Sequence, residues 1–156
     1  MKSNILLFVS LTLFGIINSS FKQNIRPGNV EKASRFKKTV PFKGNISVSL
    51  SAGTTTGSGV GSHIGRFDYD SVDDFNSVGS VTGTATFTAA NGDQIFTTFS
   101  GTFGDFENGI FDVTFENTIT GGTGRFTGAT GSFSSTGEAN VIAATATTAF
   151  TGTISY

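Results

Sequence analysis

The chain has 156 residues, among them 17 Phe and 21 Gly, with no Cys, no Trp and a formal charge of −1. That length supports one domain with a core of its own. The missing cysteines exclude disulfide bracing, a cysteine nucleophile and thiolate metal sites, so packing and strand ladders must hold the fold unaided.

Met1-Lys2-Ser3-Asn4 precedes the apolar run Ile5 to Ile17, and Asn18-Ser19-Ser20 follows it. A charged start, a short hydrophobic segment and a small-residue exit predict a secretory signal over residues 1–20. A membrane helix needs roughly 20 apolar residues, more than this run offers. The expected location is secreted, extracellular or periplasmic.

Residues 21–42 read as a basic arm. Lys22, Arg26, Lys32, Arg35, Lys37, Lys38 and Lys43 face a single acid, Glu31, whereas Gly44 onward carries two basic residues, Arg66 and Arg125, against ten acids. Pro27, Pro41 and the lack of an apolar period argue against regular structure there, and a solvated tether is the plainest reading. The acidic body argues against nucleic acid as a partner.

The folded domain is predicted over residues 43–156. Phe, Thr, Val and Ile favour strands, and good helix formers are scarce beyond residue 44. Ile46, Val48 and Leu50 alternate with serines, so Asn45 to Ser51 reads as a strand, and Gly53 to Gly59 reads as a flexible turn. A strand over Gly61 to Tyr69 and a loop over Asp70 to Asn76 follow. Val81 to Ala89 and Gln94 to Phe103 flank Ala90-Asn91-Gly92-Asp93, a strong hairpin signal. In Ile110 to Ile119, Phe111, Val113, Phe115 and Ile119 share one face while Asp112, Thr114, Glu116 and Thr118 share the other. A glycine-punctuated stretch, 121–131, leads to strands over Ser132 to Ala143 and Thr147 to Tyr156.

About eight short strands without a helical pattern predict an all-β fold, an eight-stranded antiparallel up-and-down β-barrel or a sandwich. A closed barrel removes the exposed edges that a disulfide-free β protein must otherwise protect. Eight strands leave an interior that side chains fill, or that takes one small ligand.

Phe115-Glu116-Asn117-Thr118-Ile119-Thr120-Gly121-Gly122-Thr123-Gly124-Arg125-Phe126-Thr127-Gly128-Ala129-Thr130-Gly131 resembles a segment of allene oxide cyclases, their bacterial barrel-like relatives and dirigent proteins. Ala149 to Ile154, Gly65-Arg66-Phe67 and Ala89 to Asp93 resemble that group more loosely. The resemblance implies an eight-stranded barrel with an apolar cavity, assembly as a homotrimer, and, in enzymatic members, a cavity acid that steers a cyclisation. Glu116 stands where the motif has an acid, but its parity sets it opposite Phe111, Val113 and Phe115. The first predicted strand offers no Asp or Glu.

The candidate ligand-binding residues are the cavity-lining Phe87, Phe99, Phe103, Phe111, Phe115 and Phe150, facing a small apolar ligand; no catalytic set, cofactor or metal is implied. Isomerase or cyclase activity is the enzymatic alternative, and a structural or surface-associated module with a Phe-filled barrel the non-catalytic one. His63 lacks a nucleophile-elbow partner. Asp68, Asp70, Asp73 and Asp74 offer oxygens for calcium but lack the spacing of a helix-loop-helix site. Asp112, Glu116 and Glu138 offer carboxylates for sugar hydrolysis, at separations the sequence leaves open. Arg66 and Arg125, each between Gly and Phe, fit either an anion clamp or plain strand-end cations. An outer-membrane barrel lacks its aromatic girdles here, with no Trp and two Tyr. The row Thr84, Thr86, Thr88 has no fixed repeat to extend it into an ice-binding solenoid.

Overall fold

The computed structural model describes residues 37–76 and 79–156. The predicted signal and most of the basic arm lie outside these residues. Eight antiparallel strands, each bonded to the next, close into a barrel: β1 (Thr39–Ser51), β2 (Thr54–Gly61), β3 (Gly65–Asn76), β4 (Ser80–Ala89), β5 (Gln94–Phe103), β6 (Ile110–Gly122), β7 (Thr130–Asn140) and β8 (Thr145–Ser155). β1 pairs with β8 from Thr39↔Ser155 to Ser49↔Thr145, so no edge is left open.

Three expectations change. β1 starts at Thr39, so residues 39–42 belong to the barrel and Phe42 is fully buried. The stretch read as a glycine turn is β2, and residues 70–76, read as a loop, complete β3. The expected hairpin is present: Ala89 N–H donates to the Asp93 carbonyl at 2.8 Å, and Gly92 has φ +85°, a conformation glycine adopts without cost.

Alternation assigns every strand an inner and an outer face. The outer positions of β4 to β8 are mostly Thr and Ser. The inner positions pair large against small. Phe67, Phe99, Phe115, Phe133 and Phe150 sit directly across from Gly59, Gly83, Gly101, Gly152 and Gly44 on neighbouring strands. A Cβ at Gly83 would lie 2.5 Å from the Phe99 ring, and one at Gly44 2.7 Å from that of Phe150. The missing side chain is thus the seat of the ring opposite, which lets a narrow barrel take so many phenylalanines.

Phenylalanines fill one end. Phe42, Phe67, Phe87, Phe133 and Phe150 interlock, for example Phe42 on Phe150 at 4.9 Å and Phe42 on Phe133 at 5.3 Å between centroids. Between β6 and β7 a 3-10 turn, Gly124–Phe126, folds over this end and buries Phe126 completely, its ring 5.1 Å from Tyr156. At the opposite end, where β1 meets β2, β3 meets β4, β5 meets β6 and β7 meets β8, the described residues form no such plug.

Candidate functional site

Towards that second end the interior opens into a cavity of about 270 Å³. Phe87 and Phe99 line it next to the packed half. Phe103, Phe111 and Phe115 line the wall from β5 and β6, and Val48, Leu50, Ala139 and Ala146 the wall from β1, β7 and β8. The rim is aromatic: Phe75 stacks on Phe103 at 6.3 Å, Phe103 meets Phe111 edge-on at 5.2 Å, and Phe106 lies 6.2 Å from Phe111. Phe75 and Phe106 are about two-thirds exposed, at 60% and 66%.

β3 supplies the polar point. Its inward residues are Phe67, Tyr69, Ser71, Asp73 and Phe75, running from the packed end to the rim. Phe67 is core, Phe75 is rim, and Asp73 therefore lies one inward step inside the mouth. Thr55 Oγ1 on β2 donates to Asp73 Oδ2 at 2.6 Å, and Ser71 Oγ donates to Oδ1 at 2.7 Å. Both hydroxyls fix the carboxylate against the wall. Burial pushes the Tyr69 hydroxyl up to about 12; the Asp73 charge adds to the rise, and a side-chain hydrogen bond with Ser71 opposes it. Tyr69 thus stays a neutral hydroxyl at physiological pH. A second polar point comes from β6 and β7, where Asn117 Nδ2 donates to Ser135 Oγ at 3.2 Å and both residues are buried.

Five of the six phenylalanines expected on the cavity wall lie there: Phe87, Phe99, Phe103, Phe111 and Phe115. Phe150 does not. Its ring sits over Gly44 and Gly61 in the packed end, against Phe42 and Phe133. Glu116 is exposed on the outer face, where Ser134 Oγ donates to both its oxygens at 2.9 and 2.8 Å. Asp112 and Glu138 are cross-strand neighbours outside the barrel.

The four aspartates of β3 do not converge, because alternation turns Asp68, Asp70 and Asp74 outward and Asp73 inward. Among the described residues no group of three or more His, Asp or Glu is placed to hold a metal ion. His63 is exposed in the β2–β3 turn with φ 65°, its Nδ1 3.3 Å from the Tyr156 hydroxyl. Arg125 pairs with Asp93 at 3.5 Å and lies 4.8 Å over the Phe126 ring, and Arg66 is exposed, both at the plugged end.

Thr55, Tyr69, Ser71, Asp73, Asn117 and Ser135 were missed as cavity groups. Their signal was period two: continuing the parity of Phe67 and Tyr69 through Ser71 and Asp73 reaches the inner face.

No known protein family, curated protein or solved structure matches the chain.

Proposed function

We propose that this is a secreted barrel protein that binds one small, mainly apolar molecule in the open half of its interior. The observation that carries the reading is the cavity itself: about 270 Å³, walled by Phe, Val, Leu and Ala, with an inward carboxylate near its mouth. A dry cavity of roughly 150 Å³ is known to take benzene, so this one suits a ligand of about ten to twelve non-hydrogen atoms, or a longer one protruding from the mouth. Apolar walls supply affinity, and the polar groups of β3 and of the Asn117–Ser135 pair supply orientation.

An isomerase or cyclase of the kind the resemblance implies would need an acid inside the barrel. Asp73 fits that role and Glu116 does not, since only the former faces the cavity. Asp73, oriented by Ser71 and Thr55, would be the group that takes or returns a proton on a bound ligand.

Native mass spectrometry of protein purified from its own host tests the binding reading. A retained small apolar molecule, lost in Ala146→Leu, supports it. A ligand-free species that no apolar compound stabilises overturns it in favour of a structural barrel.

A further inference from the structure

Six acidic side chains belong to the open half: Asp73 and Asp74 at the end of β3, Asp105 and Glu107 in the β5–β6 loop, Asp112 at the start of β6 and Glu138 near the end of β7. Among the described residues the basic side chains lie elsewhere. Lys37, Lys38 and Lys43 are at the start of β1, Arg66 follows the β2–β3 turn, and Arg125 is in the plug. Charge is thus polarised along the barrel axis, and the cavity opens at the negative pole. Among the described residues no Lys, Arg or His lines the cavity, and the one charged group that does is the carboxylate of Asp73. The cavity that holds this carboxylate is also lined by the aromatic rings of Tyr69, Phe75, Phe103 and Phe111.

We infer that the ligand of this cavity is a hydrophobic organic cation, a protonated amine or ammonium on an aryl or alkyl body, rather than a fatty acid or another carboxylate. The inference rests on the apolar-ligand reading above and adds the charge of the ligand to it. Three features act in the same direction. The acidic mouth concentrates cations before they enter and slows anions. Asp73 offers a fixed anionic acceptor inside an apolar wall, where a charge-assisted hydrogen bond outweighs a neutral one. Aromatic faces attract an ammonium through their ring quadrupoles, the usual way proteins recognise organic cations. A carboxylate ligand would meet like charge at the mouth and at Asp73, with no cation among the described lining residues to offset it.

A matched set tests this by calorimetry on the purified protein: butylbenzene, 4-phenylbutanol, 4-phenylbutylamine and 4-phenylbutyrate, which share one apolar body and differ in the head. The amine is expected to bind at least about tenfold tighter than the alcohol, and the carboxylate weaker than both. Amine affinity should fall on going from about 20 to about 200 mM salt, whereas alcohol affinity should not. Asp73→Asn, near-isosteric and still an acceptor for Ser71 or Thr55, should weaken the amine about tenfold and leave the alcohol within about threefold. Asp74→Asn with Asp112→Asn, both outside the cavity, should weaken the amine at low salt, and so reduce its salt dependence, while leaving the alcohol unchanged. If the alcohol and butylbenzene bind but the carboxylate matches or exceeds the amine, the cation inference fails while the apolar-ligand reading stands. Should none of the four bind, and Ala146→Leu change nothing, both fail together.

Discussion

The glycines opposite phenylalanines decide how the barrel is filled. Gly83 has the Phe99 ring where its own Cβ would be, and Gly101 has that of Phe115. Each ring already occupies its seat, so an added methyl must displace it into its neighbours. Gly83→Ala should destabilise by about 1–3 kcal/mol, as overpacking of a filled core does, measurable by chemical denaturation. Outward Thr84→Ala, one residue along, should stay within about 0.5 kcal/mol. Equal costs at the two positions would remove the pairing argument. Tyr69 gives the second test at this scale. Its hydroxyl is raised from 10.0 to about 12, so the folded state keeps a proton that the unfolded chain releases near pH 10. The stabilisation is therefore complete below pH 10 and is lost as pH rises from 10 towards 12, by about 2–3 kcal/mol in all. Ultraviolet titration of the tyrosinate band should show one residue ionising only near pH 12, and Tyr69→Phe should abolish that component together with its share of alkaline destabilisation.

At the scale of the element, the strands that alternate apolar and polar residues were legible and those that do not were lost. β5 was placed to the residue, because Ile95, Phe99 and Phe103 recur on one face, the other carries Gln94, Thr98, Ser100 and Thr102 beside Phe96, and a clear Asn-Gly turn precedes the strand. β6 was read with the correct inner face for the same reason. β2 was mistaken for a turn because its inward residues are Thr55, Gly57, Gly59 and Gly61: the space beside them is taken by Val48, Phe67 and Phe150 of other strands, so no apolar residue marks the face. The end of β3 was mistaken for a loop because its inward residues line a cavity instead of a core, and Ser71 and Asp73 carry no hydrophobic signal. Sequence reasoning therefore failed where the barrel is closely paired with a partner's ring and where it is hollow. The latter is the candidate site. The β7–β8 turn at the mouth offers an element-scale test. Asn140 Oδ1 accepts from the N–H groups of Ile142 and Ala143 at 3.0 and 2.9 Å, and Ala144 then takes φ 52° while its carbonyl accepts from Leu50 N–H at 2.8 Å. A left-handed alanine is strained where glycine is not, so Ala144→Gly should stabilise by about 0.5–1 kcal/mol without altering the cavity. A loss of stability in thermal unfolding would show that the turn tolerates alanine there.

Taken whole, the molecule divides its interior between support and vacancy. The plugged half has the interlocked phenylalanines and the buried Phe126; the open half leaves about 270 Å³ unfilled, although larger side chains at Ala139 and Ala146, cross-strand neighbours on its wall, would close much of it. Empty apolar space forfeits dispersion contacts, so a protein under no demand for the cavity gains by filling it. Ala146→Leu adds three carbons to a wall already made by Val48, Val113 and Ala139. Without ligand it should be more stable than the parent by about 0.5–2 kcal/mol, given that each buried methylene contributes about 0.8 kcal/mol and some is lost to imperfect fit. With a cavity ligand at about a hundred times its dissociation constant the order should reverse, because the parent gains about 2.7 kcal/mol from mass action and the filled variant gains nothing. Thermal unfolding of both proteins, with and without the tightest of the four phenylbutyl probes, checks both halves of this statement. A variant less stable without ligand means that the wall cannot take a larger side chain. A variant still stabilised by the probe places the binding site outside the barrel.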